Sequence, residues 1–314
     1  MIYRSVLRGF ALMITSPGVL LTFWLASILM ALPAGFLLSE SLQADLGSSQ
    51  IQENLRSGFD MDWYSEFSHR AEGLGETFRP DRVVGIGPLL DNLESWSNGN
   101  LFANHRGLVA LAAIHALAWA VLLGGALGSF ARPGGSSSAE NFLALCGRYC
   151  FRLVRLALVS APLYYGVYRL SGWLLERVAS MSRDATREIP IFVATLLATL
   201  AIAALLHLIR MVFDYAKIIL VTEERRSALG AALSGLRFVA SHPVKTSSIY
   251  GIFGLVSLLL LVAFGALSPG VGQETIGGVL AVLAFGQLYL IAKIFTRLSS
   301  LAGQMEAYRW SERR

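Results

Sequence analysis

The chain has 314 residues, of which 54% are hydrophobic and only 15% are charged, and its mean hydropathy is +0.57. Soluble domains contain roughly 45–50% apolar and about 25% charged residues. The composition therefore excludes a conventional water-soluble enzyme, a secreted disulfide-rich scaffold and a disordered protein. It predicts an all-α protein, a polytopic transmembrane helix bundle whose first partner is the lipid bilayer.

The formal net charge of +5 hides two regions of opposite charge. Residues 39–104 contain eleven acidic residues and four arginines, so this segment carries −7 and the rest of the chain carries +12. The cations outside the segment lie at the ends of apolar runs. A nucleic-acid-binding protein would instead gather its cations on one polar face, so we predict no nucleic-acid partner.

Six stretches are apolar and have about the roughly 20 residues that a bilayer core requires. They are about 17–38, 107–129, 153–174, 190–213, 247–267 and 276–297. The first begins at Ser16-Pro17, where serine is expected to cap the helix and proline to occupy its first position. We predict six spans that form a single membrane domain, 1–314.

Arginine and lysine residues are concentrated on one side of these spans. Both termini and the segments 130–152 and 218–246 are basic, whereas the segment 39–105 is acidic. The link 175–189 is the exception, with three arginines. Because short cytoplasmic loops are enriched in Lys and Arg, we predict a bacterial inner-membrane protein with both termini in the cytoplasm. Residues 39–105 then form an extracytoplasmic helical insertion, and the two basic segments are cytoplasmic loops that contain interfacial helices.

Two short stretches, residues 5–17 and 231–243, are similar in sequence. Their matching pairs are Leu7 and Leu233, Gly9 and Gly235, Thr15 and Ser241, and Pro17 and Pro243. Each stretch ends at a proline before a span, which is typical of an interfacial helix that turns upright at the proline. A weaker third copy lies at 141–152, without a proline. The pattern predicts three units, each an interfacial helix followed by a transmembrane hairpin; the alternative is coincidental similarity between two short helices.

The sequence that leads from the fourth span into the fifth carries a family resemblance. Phe213-Asp214-Tyr215-Ala216-Lys217 ends one span, and a Glu-rich turn, an Ala/Leu helix and a re-entering span follow. This arrangement resembles a group of bacterial multi-pass proteins, which includes the membrane domain fused to some glycerophosphodiester phosphodiesterases and stand-alone relatives. The resemblance implies a helical membrane bundle. No catalytic residue carries over, because the matched segment contains none of the soluble phosphodiesterase domain.

The acidic segment contains a stripe of apolar residues at spacings of four. The stripe is formed by Ile51, Leu55, Phe59, Trp63 and Phe67. It predicts an amphipathic helix over 48–71, interrupted at Gly58, with Trp63 in the headgroup layer. A second short helix is predicted over 88–97. We expect these helices to cap the outer ends of the bundle; the alternative is a lid or a docking surface for a protein partner.

No catalytic, cofactor or metal site is predicted, and we expect no enzymatic activity. The five histidines share no metal-ligand spacing, and no nucleophile elbow, phosphate-binding loop or dinucleotide fingerprint is present. Cys146 and Cys150 lie one helical turn apart, where a disulfide does not usually form, and have no neighbouring ligands for zinc. Gly124, Gly125 and Gly128 form a small-residue ridge that favours close helix packing.

Five charged residues are predicted to form a structural ion cluster at one face of the membrane. They are Arg210, Asp214 and Lys217 on the fourth span and Lys293 and Arg297 on the sixth. The first three share one stripe of a 3.6-residue helix. We expect Asp214 to be held by Arg210 and by a cation of the sixth span, and a proton or ion pathway is the alternative.

His115 is the candidate for a polar group in the middle of the membrane. An ionisable residue at that depth is a functional hypothesis by default. We expect instead a neutral imidazole that hydrogen-bonds to a neighbouring helix.

These features favour a membrane scaffold or accessory component of the cell envelope. The alternative is a transporter or permease-like protein for a small solute or lipid. The sequence leaves the partner, the substrate and the oligomeric state open.

Overall fold

A computed structural model describes residues 2–47, 60–79, 86–97, 99, 106–132, 139–183, 188–268 and 275–312. In these ranges the regular structure is entirely helical, which confirms the all-α class. The ten α-helices are α1 (Ile2–Ile14), α2 (Pro17–Leu46), α3 (Met61–Arg70), α4 (Gly87–Ser97), α5 (Arg106–Ala131), α6 (Ala139–Arg183), α7 (Glu188–Thr222), α8 (Ala228–Ser241), α9 (Pro243–Leu267) and α10 (Ile276–Glu312). A 3₁₀ turn, Gly73–Thr77, follows α3.

Five of these helices are long and apolar enough to cross a membrane: α2, α5, α7, α9 and α10. They contain five of the six predicted spans. Between 6% and 17% of the most apolar stretch of each helix is buried inside the protein. Most of their surface is therefore free to face lipid, which is as apolar as the side chains themselves.

The predicted third span, 153–174, lies inside α6, which is not one of the five. Arg155 and Arg169, together with three tyrosines between them, make this stretch less apolar than the others. The α6 helix has 45 residues, which corresponds to about 68 Å. It is more than twice as long as a hydrocarbon core of about 30 Å, so only part of it can lie in the membrane.

The described residues of the predicted loop 130–152 form no separate interfacial helix. Residues 139–152 are the first part of α6 and continue without a break into the rest of that helix. The other two predicted interfacial helices end before a proline, but residues 139–152 contain none. Pro162 lies inside α6 and does not end it.

Two prolines separate short helices from long ones. α1 ends at Ile14 before Pro17 begins α2, and α8 ends at Ser241 before Pro243 begins α9. Proline lacks the N–H that a continuing helix would need and suits a first helical position. The side chain of Ser16 makes no capping hydrogen bond, contrary to expectation.

The predicted loop over 218–246 is much shorter than expected. α7 continues to Thr222, so only residues 223–227 connect it to α8. Ser227 then caps α8, because its hydroxyl oxygen accepts a hydrogen bond from the backbone N–H of Gly230 at 3.1 Å. The fourth predicted span, 190–213, is therefore the apolar part of a helix that continues for nine more residues.

The main core lies at one end of the bundle, which we call the base. It is formed by α1, α8, the first parts of α2, α6 and α9, and the last parts of α5, α7 and α10. Its large, fully buried side chains include Met13, Leu127, Tyr149, Leu156, Tyr215, Ile218, Ile219 and Leu220. Burying one such apolar side chain contributes about 1.5–3 kcal/mol, so the base is where the described helices are held together.

Three similar helix pairs build the base. α1 packs on the end of α10, the first part of α6 packs on the end of α5, and α8 packs on the end of α7. A glycine lies in each contact: Gly9, Gly125 and Gly235, where an added Cβ atom would clash with the partner helix. The predicted packing role of the glycine ridge on α5 is confirmed. The first helix of the chain thereby meets the last one.

The described part of the acidic segment packs on the ends of α2 and α6 that point away from the base. Asp60 caps α3 by accepting hydrogen bonds from the N–H groups of Asp62 and Trp63, at 2.9 and 3.1 Å. Trp63 is buried and donates from its indole to Asp45 of α2 at 2.9 Å. Its indole therefore bonds to the protein, and its predicted depth in the headgroup layer stays a prediction. Residues 48–59 of the predicted helix lie outside the described residues.

The second predicted helix of the acidic segment is present as α4. Trp96 of α4 packs edge-to-face on Tyr168 of α6, with ring centroids 5.2 Å apart. The Tyr168 hydroxyl also donates to the backbone carbonyl of Gly99. α4 is thus attached to the bundle by an aromatic contact and a hydrogen bond.

Candidate functional site

The fully buried carboxylate of Asp214 is the centre of the strongest polar cluster in the described structure. Arg297 donates from Nη1 to Oδ2 and from Nη2 to Oδ1, both at 2.7 Å. Lys217 donates to Oδ1 at 3.0 Å, and the Tyr250 hydroxyl donates to Oδ2 at 3.2 Å. Bidentate pairs between arginine and carboxylate are among the strongest hydrogen-bonded contacts in proteins.

The helices place these groups together for simple reasons. Lys217 lies three residues after Asp214, on the same face of α7. Arg297 comes from α10, which runs toward the base in the same direction as α7, and Tyr250 comes from α9, two turns after Pro243. The cluster therefore joins three helices close to the base core.

Two of the five predicted members are not in direct contact with Asp214. Arg210 and Lys293 are both exposed, and among the described residues neither forms an ion pair with this carboxylate. Each lies four residues, or about 6 Å, further from the base than its neighbour in the cluster. Arg210 interacts with the carboxylate only electrostatically.

This arrangement favours a structural role for Asp214. The carboxylate is fully buried and accepts four hydrogen bonds, two from Arg297 and one each from Lys217 and Tyr250. A carboxylate that relays protons or ions needs access to water and freedom to exchange partners. Tyr250 was missed by the sequence reasoning, although a tyrosine near the start of an apolar span is a group that needs a hydrogen-bond partner.

His115 does not belong to the cluster. Its ring is half-buried on α5 and lies 6.1 Å from the ring of Trp119, one turn further along the same helix. In the part of the chain that is described, the imidazole has no hydrogen bond. The expected bond to a neighbouring helix is therefore not observed.

The loop between α7 and α8 forms a second polar network at the base. Glu224 pairs with Arg148 of α6 at 2.7 Å, and its backbone carbonyl accepts from Arg152 at 3.1 Å. Glu223 pairs with Arg225 and accepts a hydrogen bond from the hydroxyl of Tyr308 on α10. The loop thus ties together α6, α7 and α10, which the paired glutamates alone did not reveal.

Arg309 of α10 completes the end of α5. Its guanidinium donates to the backbone carbonyl of Phe130 at 3.2 Å and to that of Ala131. The last carbonyls of a helix have no partner within the helix, so a cation placed there both binds them and interacts favourably with the helix dipole.

Replacing Arg309 with alanine should destabilise the purified protein. The two carbonyls at the end of α5 would lose a charged donor, and such a loss costs about 1–3 kcal/mol. The measurement is the melting temperature in detergent. Arg237→Ala is the matched control, because Arg237 is exposed on α8 and makes no ion pair among the described residues. Equal melting of the two variants would show that Arg309 does not hold α5.

The described residues contain no group of three or more His, Cys, Asp or Glu side chains that could hold a metal ion. Cys146 and Cys150 are free thiols. Burial of Cys146 against α5 raises the pKa of its thiol, which favours the uncharged form.

Comparison with protein-family models, with curated proteins and with solved structures finds no match. The family resemblance noted from the sequence therefore stays a prediction, and the function has to be argued from the geometry.

Proposed function

We propose that this chain is a non-catalytic scaffold or accessory protein of the bacterial inner membrane. The observation that carries the proposal is the closed base. There, the buried and fully paired Asp214 and a core of aromatic and aliphatic side chains join the helices, while most of the apolar surface of the spanning helices stays exposed. A protein built in this way offers surface to lipid and to other membrane proteins.

In this proposal α6 supplies the sixth span. Arg148 near the start of α6 contacts Glu224 just after the end of α7, and the two helices pack on each other. Since α6 begins at the base and α7, the next helix, ends there, the two helices run antiparallel. The middle of α6 therefore lies beside the apolar part of α7, which supports a membrane crossing despite Arg155 and Arg169, because such side chains can extend toward the headgroups.

Reporter fusions test this topology. We expect fusions at positions 70 and 186 to be extracytoplasmic and a fusion at position 140 to be cytoplasmic, because Lys and Arg are enriched in cytoplasmic loops. An alkaline phosphatase and a fluorescent-protein reporter at each position would report the compartment. The same compartment for 70 and 140 would contradict the orientation, and the same compartment for 140 and 186 would remove the sixth span.

The three helix pairs of the base also support the proposed repeat. Each unit would consist of a basal segment and a hairpin: α1 with α2 and α5, the two parts of α6 with α7, and α8 with α9 and α10. The basal segment of each unit packs on the last helix of the unit before it, and α1 packs on the last helix of the third unit. Gly9 and Gly235 occupy the same place in this arrangement, as they do in the sequence match.

The acidic segment is the proposed site for a protein partner. Asp62, Glu66, Glu72 and Glu76 are exposed on α3 and the turn that follows it. The same segment is attached to α2 through Trp63 and Asp45, so the acidic side chains are presented by an anchored element. Their charge fits a basic surface on the partner.

Native gels of gently solubilised membranes test the scaffold proposal. We expect the wild type to migrate in a complex of defined size, and the triple variant Asp62→Asn, Glu72→Gln, Glu76→Gln to migrate as a smaller particle. A control with Glu140→Gln and Glu312→Gln, which removes acids from the base instead, should keep the complex. Identical migration of wild type and triple variant would contradict docking at the acidic segment.

A permease for a small solute or lipid is the second candidate. Two observations favour it. The spanning helices bury few side chains in their apolar stretches, away from the base, and α4 contacts α6 at the end of the bundle opposite the base. Purified protein in proteoliposomes would then take up a labelled solute or move a labelled lipid with saturation. The scaffold proposal would be wrong if such uptake occurs and if a variant that melts like the wild type loses it.

A further inference from the structure

The cluster around Asp214 contains more positive charge than its carboxylate balances. Lys217 and Arg297 form ion pairs with Asp214. Arg210 is close enough to interact with the same carboxylate electrostatically but does not reach it. The only acid in this group faces three cations, so the group needs a further anion to be neutral.

Arg210 is the cation with unused hydrogen-bonding capacity. Its side chain is exposed, and it forms no ion pair within the described residues. Only 11% of the most apolar stretch of α7 is buried inside the protein, so an exposed side chain on this helix faces the surroundings of the bundle. An unpaired charge in hydrocarbon is costly, which requires Arg210 to reach either water or an anionic group.

The depth of Arg210 is that of lipid headgroups. The apolar stretch of α7 runs from Ile191 to Arg210 and is about 30 Å long at 1.5 Å per residue. This length equals the thickness of a typical hydrocarbon core. Arg210 therefore lies at the boundary of the core on the side of the base, where phospholipid phosphates are located.

Two tyrosines on neighbouring helices lie within electrostatic range of Arg210. Tyr164 of α6 and Tyr250 of α9 are both near enough to interact electrostatically with Arg210. Tyr250 already donates its hydroxyl to Asp214. The half-buried Tyr164 has no hydrogen bond among the described residues and lies within electrostatic range of the guanidinium, so its hydroxyl is free to donate to an anion that Arg210 binds.

We propose that Arg210 and Tyr164 bind the phosphate of an anionic phospholipid in the leaflet on the side of the base. A guanidinium presents two parallel donors that match a phosphate, and the tyrosine hydroxyl adds a third. Basic pockets between spanning helices are a recognised type of site for anionic headgroups. Only the name of the leaflet, cytoplasmic, depends on the orientation in the proposed function.

Lipid titration of the purified protein tests the site. Protein in neutral detergent with phosphatidylcholine is titrated with dioleoylphosphatidylglycerol, and the bound lipid is measured by native mass spectrometry and by the rise in melting temperature. We expect Arg210→Gln to bind phosphatidylglycerol about fivefold more weakly, from the loss of one favourable charge interaction near the membrane surface. Arg237→Gln, which removes an exposed cation from α8, should bind like the wild type.

Three outcomes would overturn the proposal. The first is unchanged phosphatidylglycerol binding by Arg210→Gln. The second is an equal loss in Arg237→Gln, which would mean that net charge alone attracts the lipid. The third is an equal rise in melting temperature with glycerol phosphate, which would mean that the ligand is a soluble phosphate.

Two further variants keep the test valid if Arg210→Gln does not fold. Arg210→Lys keeps the charge but loses the paired donors, and Tyr164→Phe removes only the hydroxyl. Both should bind phosphatidylglycerol more weakly than the wild type while melting like it in the absence of the lipid. Wild-type binding by both would equally overturn the proposal.

Discussion

Replacing Asp214 with alanine should give a large loss of stability in the detergent-solubilised protein. The variant leaves Arg297 and Lys217 next to each other without their shared anion. Removing one partner of a buried ion pair costs roughly 3–5 kcal/mol, which corresponds to a fall of roughly 5–8 °C in melting temperature for a protein of 314 residues. Asp214→Asn should lose less, because the amide oxygen still accepts a hydrogen bond and the side-chain volume is kept.

A double variant shows whether the loss comes from this ion pair. If Asp214 and Arg297 act together, Asp214→Asn with Arg297→Gln should cost less than the sum of the two single changes. The comparison uses the same melting measurement on all three variants. Two results would contradict a stabilising role of the cluster between α7, α9 and α10. One is a wild-type melting temperature for Asp214→Ala, and the other is a loss of stability in the double variant that equals the sum of the two single losses.

Replacing Gly235 with valine should separate α8 from α7. A Cβ atom on Gly235 would lie 2.7 Å from the carbonyl oxygen of Val212 and 2.9 Å from the backbone nitrogen of Ala216. Both are backbone atoms of a helix, so they cannot move aside as a flexible side chain could. Overpacking of this kind costs about 1–3 kcal/mol or more, and we expect a lower melting temperature and faster proteolysis within residues 223–242.

The matched control is a glycine that has room for a side chain. Gly147 lies in α6, in the part that belongs to the base, and nothing lies within 4 Å of the Cβ atom that alanine would add. Gly147→Ala should leave stability unchanged or raise it by about 0.5–1 kcal/mol, because alanine favours helix more than glycine does. Equal behaviour of Gly235→Val and Gly147→Ala would contradict the close contact of α8 with α7.

The sequence predicted the starts of those helices that begin at a proline. Pro17 and Pro243 begin helices at the predicted places, and α4 follows the predicted range within one residue. Apolar length found five helices that can cross a membrane. It could not show where a helix ends once it leaves the membrane, because beyond that point local sequence and packing against other helices decide. This is why α7 continues nine residues past the predicted end of its span.

The partners within the candidate site were harder to predict than its central residue. The helical stripe identified Asp214, and depth alone suggested Arg297, but depth could not separate Arg297 from Lys293 because they lie one turn apart on the same helix. Tyr250 was missed because its distance from Asp214 depends on how α9 packs on α7. The indole of Trp24, which donates to Gln287 at 2.8 Å between α2 and α10, was missed for the same reason.

The contact between α1 and the end of α10 is the central claim of this architecture, and a crosslink tests it most directly. Arg8 of α1 forms an ion pair with Glu306 of α10, so cysteines at these two positions should be joined by a short thiol crosslinker. The background is a variant with Cys146→Ala and Cys150→Ala, with a protease site inserted between residues 132 and 139. We predict that the two fragments stay joined on a denaturing gel after cleavage, whereas a pair with one cysteine at position 62 on α3 instead of 8 separates. Separation of the 8–306 pair into two fragments, in membranes where the protein is folded, would contradict the closed base.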